Sequence, residues 1–283
     1  MTGIIDVGGG NRAVFASGVF DYLIDNDIRL DYCIGVSAGS ANCCSYVSGQ
    51  SGRNLNFYTR YNFSPRAIGP VAKLLTGSLI DLDYIYGTLS RSGGKCPLDY
   101  EAFMASPTEM KAVATNAETG EAEYFGKELM KKDSYGMICA SSCMPGVCKP
   151  YEFNGKRYFD GYVSNPIPFE KALADGCDSV IVILTLPKNH FRSGKDDAAA
   201  AEKLKKYPAV AKKLARQAEI YNSQLRRCLE LEKEGRALIL YPRHNHLHSL
   251  EKDKKRILAL YEEGRENGPL AADYLAGRSA LRR

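Results

Sequence analysis

At 283 residues, with 45% hydrophobic and 25% charged side chains, the chain is long enough to bury a sizeable core as one large α/β domain or at most two, and its composition excludes disorder. The 38 Lys+Arg against 33 Asp+Glu leave a net charge of +5, too diffuse for a nucleic-acid footprint but suited to approaching an anionic surface or substrate. Nine cysteines, an odd number without a regular framework of spacings, point to reduced thiols in a cytosol rather than to a disulfide scaffold.

The opening residues Met1-Thr2-Gly3-Ile4-Ile5-Asp6 have no basic stretch and reach an acid after two isoleucines, unlike a signal peptide. The longest apolar run, residues 180–186, falls far short of the ~20 residues that span a bilayer. The expected location is cytoplasmic, with at most a peripheral place at a membrane.

Residues 3–7 read as a short buried strand running into Gly8-Gly9-Gly10-Asn11-Arg12, after which Val14, Phe15, Val19, Phe20, Leu23 and Ile24 recur at helical spacing. Glycines between a strand and a helix let backbone N–H groups approach a ligand, because no Cβ blocks the way. Gly8, Gly10 and Ala13 also satisfy the dinucleotide fingerprint G-x-G-x-x-A. That reading needs an acid closing the second strand, whereas here the second strand ends in Gly35-Val36-Ser37 and the nearest acids, Asp27 and Asp31, precede it.

The pentapeptide Gly35-Val36-Ser37-Ala38-Gly39 follows the apolar Tyr32-Cys33-Ile34 and leads into a helix-compatible segment, residues 40–47. A serine flanked at two residues on each side by glycine, at a strand-to-helix turn, is the nucleophile elbow pattern. A close-packed turn whose serine merely caps the helix gives the same five residues. Neighbouring parallel strands joined by a right-handed crossover would place the glycine loop and this serine on one sheet edge. N–H donors beside a nucleophilic serine are what acyl transfer requires, since removing one such donor typically costs ~10² to 10³ in rate.

Residues 53–97 are polar and aromatic at first, broken at Ser64-Pro65-Arg66, then apolar with glycines. They read as a candidate cap in which Tyr58, Tyr61, Phe63, Leu74, Leu75, Tyr84 and Tyr86 would line an acyl-chain groove, or as an ordinary helical cover. Alternating residues 110–115 and 121–125 around Glu118-Thr119-Gly120 predict a hairpin. A helix over 136–143 follows, with Cys139, Cys143 and Cys148 as packing residues, because a zinc site would want paired C-x-x-C spacing. Asn154-Gly155 predicts a second hairpin over 151–159, whose second strand delivers Asp160-Gly161 either as an Asx turn or as a carboxylate presented to a cavity.

A helix over 166–174 and a buried parallel strand over 178–186 come next. Residues 196–234 are helical and interrupted near Pro208. Their Lys203, Lys205, Lys206, Lys212, Lys213 and Arg216 suit either a solvated face or transient contact with anionic headgroups. A last strand over 237–241 and two amphipathic helices over 250–263 and 270–281 complete the chain, and no linker or repeat divides it. The four histidines, His190, His244, His246 and His248, all follow Asp160, so a Ser-Asp-His order exists on paper. The serine's place after only the second strand fits that layout poorly. A shared face for His244, His246 and His248 would otherwise suit a metal, and a polar loop explains them equally.

The run GGGNRAVFASGVFDYL at residues 8–23, the GVSAG elbow and the Asp160-Gly161 pair resemble the patatin-like phospholipase family of serine acyl hydrolases, most closely its compact bacterial branch. The likeness is dense over residues 1–50, good over 136–187 and loose over 236–268. It implies a single three-layer α/β domain over 1–283 with a mainly parallel central sheet flanked by helices, 53–97 as cap and 196–283 as a helical extension. It further implies a Ser-Asp dyad: Ser37 as nucleophile held between Gly35 and Gly39, and Asp160 as base followed by Gly161. Gly8, Gly9 and Gly10 would form the oxyanion hole, with Asn11 and Arg12 in the same loop. No metal or organic cofactor is implied, and a lipid or other acyl ester is the expected partner. The chain departs from the family pattern at Tyr162, after Asp-Gly, and at Ala13, where a glycine commonly follows the arginine. Those departures leave open a catalytically inactive lipid-binding or scaffold protein on the same fold.

Overall fold

The β-branched and aromatic runs of the chain pair into one eight-stranded sheet. The computed structural model describes residues 1–243 and 247–280, with side chains through residue 277. Five strands are parallel neighbours in the order β3 (Glu109–Asn116), β2 (Tyr32–Val36), β1 (Thr2–Asp6), β7 (Ser179–Ile183) and β8 (Ala237–Leu240). Both faces of these strands are covered, so β1, β2 and β7 are buried at every residue, which is why they read as near-continuous apolar runs. Beyond β3 the sheet turns antiparallel through β4 (Ala122–Gly126), β5 (Tyr151–Phe153) and β6 (Lys156–Asp160), the two hairpins expected from the turn residues.

The layers follow from the strand alternation. Ile4, Cys33, Ala112, Ile181 and Ile183 face α1 (Val14–Asp25), α2 (Ala38–Val47) and α11 (Lys254–Ala280), burying Phe15, Val19, Phe20, Tyr46, Ile257 and Leu260. Ile5, Tyr32, Ile34, Val113, Val180 and Val182 face the other way, onto α7 (Phe169–Ala174) and α10 (Gln217–Lys233). The remaining helices are short: α3 (Arg53–Asn56), α4 (Pro70–Thr76), α5 (Tyr100–Ala105), α6 (Gly136–Ser141), α8 (Asp197–Glu202) and α9 (Pro208–Ala215).

One boundary differs from the sequence reading. The terminal helices expected over 250–263 and 270–281 are one helix, α11, which continues through Pro269. A proline forfeits one backbone hydrogen bond, but Ile257, Leu260, Tyr261 and Ala271 are buried on both sides of it, so the packing outweighs that loss. The strand expected over 237–241 is β8, which hydrogen-bonds to β7 within the central sheet.

Segment 53–97 folds over one end of the sheet around its own cluster of Phe57, Ala67, Ile85, Leu89 and Cys96. Buried Arg53 roots it: Nη1 donates to Ser45 Oγ on α2, Nη2 to Ser90 Oγ and the Cys96 carbonyl, and Nε to the Pro97 carbonyl. Its guanidinium lies 5.0 Å from the Phe57 ring centroid. Two stretches, Phe57–Tyr61 and Asp83–Thr88, are π-helical, a conformation that clusters near functional sites.

Candidate active site

Strand pairing brings Ser37 and Asp160 together. β4 occupies one edge of β3 over Lys111–Thr115, so the other edge must serve both β2 and β6. β2 holds that edge as far as Val113, and β6 arrives antiparallel at Ala114 with Asp160 opposite it. The residue after β2 is Ser37 and the last residue of β6 is Asp160, so both are delivered to the point where the sheet splits.

Ser37 has φ 57° and ψ −130°, a conformation that L-residues avoid and that costs of order 1–3 kcal/mol. The flanking glycines make it attainable. A Cβ on Gly35 would lie 2.5 Å from the Gly39 carbonyl, and one on Gly39 would lie 2.5 Å from the Asp6 carbonyl oxygen. The turn is further pinned by the Ser37 N–H donating to Ser141 Oγ at 3.0 Å, and by Ser40 N–H and Oγ donating to the Ser37 carbonyl at 2.9 and 2.6 Å. The serine therefore stands half-exposed at the N-terminus of α2.

Asp160 is fully buried. Its N–H donates to the Cys143 carbonyl at 2.9 Å, its carbonyl accepts from Thr115 Oγ1 at 2.8 Å, and its Oδ1 accepts from the Tyr162 N–H at 2.9 Å. Oδ2 has no hydrogen-bond partner among the described residues. Burial pushes the carboxyl up to about 7, partly offset by the Ser37 hydroxyl and the Tyr162 N–H. Gly161 is needed here for a steric reason, since a Cβ would collide with the Val113 carbonyl oxygen.

All three glycines of the first loop have positive φ, 70°, 116° and 62° for Gly8, Gly9 and Gly10. Most of the loop's polar groups are occupied. The Gly8 N–H donates to Asp6 Oδ1 at 2.9 Å, the Gly8 carbonyl accepts from Thr185 Oγ1 at 2.8 Å, and the Gly9 carbonyl accepts from Arg12 Nε at 3.3 Å. The Asn11 N–H donates to the Ser249 carbonyl, and Asn11 Nδ2 to the Glu251 carbonyl. Among the described residues, the N–H groups of Gly9 and Gly10 alone in this triplet have no acceptor. The expected set of three glycine donors is thus reduced by one, because Asp6 already holds the first.

Asp6 and Asn42 tie the loop to the elbow, a connection that the sequence reading missed. Buried Asn42 donates through Nδ2 to Asp6 Oδ2 at 2.8 Å and to the Ala13 carbonyl at 2.9 Å, while its Oδ1 accepts from Ser17 Oγ and Tyr58 Oη, both at 3.1 Å. Desolvation raises the Asp6 carboxyl to about 7, opposed by the Asn42 and Gly8 hydrogen bonds. The available signal was an acid closing a fully buried strand immediately before a glycine run.

A cleft enclosing about 680 Å³ of atom-free space, its open mouth included, borders Ser37, Ala38, Gly10 and Asn11. Its apolar wall comes from the cap: Phe57, Tyr58, Ile68, Ile80, Ile85 and Tyr86. Tyr58 and Tyr86 were anticipated there, whereas Leu74 and Leu75 point to solvent with 86% and 61% exposure. Ser249 and Leu250, from the loop after β8, complete the rim. Tyr162 lies elsewhere, its ring 6.5 Å from that of Tyr221 and 5.7 Å from the Arg192 guanidinium, so this departure from the family motif does not fill the cleft.

His244 and His246 lie outside the described residues. No described histidine is hydrogen-bonded to Ser37 or Asp160, and His190 sits exposed on the loop after β7. Cys139 and Cys143 donate to the Leu82 and Lys149 carbonyls, and no group of three or more His, Cys, Asp or Glu side chains converges as metal ligands would among the described residues. No described helix is long and apolar enough to cross a membrane.

Comparison with known proteins gives the family of the chain. A family model described as patatin-like phospholipase matches residues 7–173, and one described as a domain of unknown function, DUF6363, matches residues 207–271. The chain is 27% identical over 189 residues to the uncharacterized protein YjjU of Escherichia coli (strain K12), covering 65% of this chain and 52% of YjjU. It thus spans about half the length of that curated relative. Among solved structures, VipD from Legionella pneumophila is similar with a TM-score of 0.44 and 11% identity, over 96% of this chain and 66% of that one. With 167 of its 283 residues inside the first of these matches, the chain belongs to the patatin-like phospholipase family.

Proposed function

We propose that the chain hydrolyses carboxylic ester bonds of lipids through a Ser37–Asp160 dyad and an acyl-enzyme. The observation that carries this reading is the strained, half-exposed Ser37 beside a buried carboxylate whose Oδ2 lacks a partner. A carboxylate held near pH 7 is a far better base than a solvated one. In the proposed cycle Ser37 Oγ attacks the ester carbonyl as Asp160 Oδ2 accepts its proton. The negative oxygen that forms is met by the N–H groups of Gly9 and Gly10, which no described acceptor occupies. The leaving alcohol departs with the proton from Asp160. Water then gives a proton to the same carboxylate and attacks the acyl-Ser37 carbonyl, and as the C–Oγ bond breaks Ser37 Oγ takes that proton back from Asp160, releasing the acid and restoring both groups. The apolar cap wall suits the acyl chain. Nine buried free cysteines suit a reducing compartment.

A fluorophosphonate probe tests the assignment. It should label the wild-type chain at Ser37 and fail on Ser37→Ala. Asp160→Asn should stop turnover of a chromogenic ester while the folded state persists. Labelling that survives Ser37→Ala sinks the proposal, and lipid binding without labelling or hydrolysis would favour the inactive scaffold.

A further inference from the structure

The cap carries an apolar tip that the cleft does not use. Gly69 N–H donates to the Leu79 carbonyl and Asp81 N–H to the Ala67 carbonyl, so residues 69–79 leave the body as a closed excursion whose base is the Ile68–Ile80 bridge. Within it α4 buries only Ala72. Val71 is 43% exposed, Leu74 86%, Leu75 61% and Leu79 36%, making this the densest group of exposed large aliphatics among the described residues. Scattered exposed leucines need no explanation, but a clustered set on one excursion marks an interaction surface.

Charge and continuity decide what covers it. Residues 66–80 contain no acid, and Lys73 projects from α4 without an ion-pair partner among the described residues. Lys149 Nζ sits over the end of the same helix, donating to the Thr76 carbonyl, while Arg66 at the base lies over the Tyr84 ring and pairs with Asp81 at 3.7 Å, which leaves Lys73 and Lys149 as the cations nearest the tip. An aliphatic tip inside a cationic collar complements a surface that is apolar within and anionic outside, the profile of a bilayer with acidic headgroups. The base of the excursion is also a wall of the cleft, through Ile68 and Ile80, and Leu250 on the facing rim is 42% exposed. The basic run at 203–216 suits this role less well: Lys213 and Arg216 are paired with Glu121 and Glu219, and none of the exposed large aliphatics lies there.

We propose that the 69–79 excursion inserts Val71, Leu74, Leu75 and Leu79 into an anionic lipid surface, setting the mouth of the Ser37 cleft at the headgroup level. The use of this contact rests on the acyl hydrolase reading, but the contact itself does not. The test is co-sedimentation of the full chain carrying Ser37→Ala, which cannot consume lipid, with phosphatidylcholine vesicles containing or lacking phosphatidylglycerol. Binding is expected on the anionic vesicles. The double substitution Leu74→Asp, Leu75→Asp should lower it by at least about tenfold. Lys73→Glu should lower it by roughly tenfold on anionic vesicles and leave neutral ones unchanged. On the wild-type background, all these substitutions should leave hydrolysis of a short, water-soluble ester intact, which also certifies folding. Equal sedimentation of the Leu74/Leu75 variant and its parent overturns the proposal. So does a wild-type dimer that dissociates on the same substitutions without vesicle binding, which would make the tip a self-association face. Vesicle binding with no ester turnover would instead remove the hydrolase reading and leave the docking surface standing.

Discussion

Replacing Asp160 by Asn should make the protein more stable while abolishing turnover. The carboxyl is fully buried and its folded value is raised to about 7, against roughly 3.9 in an unfolded chain. Below pH 4 both states are protonated and the burial is free of this cost. As pH rises from 4 to 7 the unfolded state gives up its proton first, so folding becomes progressively less favourable, and above 7 the loss levels off. Three units at 1.36 kcal/mol each amount to roughly 4 kcal/mol at pH 8, of which about a third is already present at pH 5. Asparagine keeps an acceptor for the Tyr162 N–H and carries no charge to desolvate. The stability difference between Asp160→Asn and wild type should therefore widen by about 2 to 3 kcal/mol between pH 5 and pH 8, or about 5 °C in Tm for a chain of this size. Buried Asp6 and Asp21, also raised by desolvation, titrate in both proteins and cancel in the difference. Thermal or urea unfolding at the two pH values measures it. A difference that is flat across this range would refute a desolvated Asp160, and with it the account of its basicity.

On the proposed dyad, in which Asp160 must be ionised to accept the serine proton, kcat/KM on a soluble ester should rise about tenfold per pH unit below about pH 7 and level off above it. A profile that climbs instead as pH falls would exclude it as the base. Gly35→Ala should abolish fluorophosphonate labelling, because its Cβ would sit 2.5 Å from the Gly39 backbone and force the elbow apart; retained labelling would show that the turn tolerates a side chain. Asn42→Ala should destabilise the fold by roughly 3 kcal/mol, because it strands the buried Asp6 carboxylate and the Tyr58 hydroxyl, read as a shift in urea midpoint. His248→Ala should leave ester turnover unchanged; loss of turnover on a folded variant would bring a histidine back into the mechanism.

The elements that a local pattern specifies were legible in the sequence. Alternating residues around Asn154-Gly155 gave the hairpin β5–β6, and the buried run at 179–183 gave a parallel strand, because period and turn chemistry act within a few residues. The elbow was legible as a pentapeptide, and Gly35 is required by a contact within it, at Gly39, but Gly39 is required by Asp6 on β1, a contact that no local pattern announces. What stayed hidden depends on partners far along the chain. Nothing near Gly8 announces that its N–H is held by Asp6, or that Asn42 joins Asp6 to Tyr58 across the first two helices. The loop after β8 looked like polar surface, yet Ser249 and Glu251 accept hydrogen bonds from Asn11, some 240 residues earlier. Leu74 and Leu75 were read as groove lining or as part of an ordinary helical cover, and hydrophobicity cannot tell either from an aliphatic left in solvent.

The split edge of β3 gives a physical reason why an aspartate would serve Ser37 directly. A histidine acting between serine and acid needs room for an imidazole, so the two ends of such a relay stand on separated elements. Here β2 and β6 meet the same edge of one strand at adjacent residues, Val113 and Ala114, so the residue after β2 and the last residue of β6 come from neighbouring positions rather than from separated elements. A carboxylate in water is too weak a base for a serine hydroxyl, so the arrangement works only if the acid is also dried. The sheet does both at once: the strand that positions Asp160 is packed under the cap and against β3, which leaves the side chain with a single N–H donor at Oδ1 and none at Oδ2. Proximity and basicity thus have one structural cause. A substitution that admits water beneath the cap should lower the Asp160 value and the activity plateau together, even when Ser37 and Asp160 do not move.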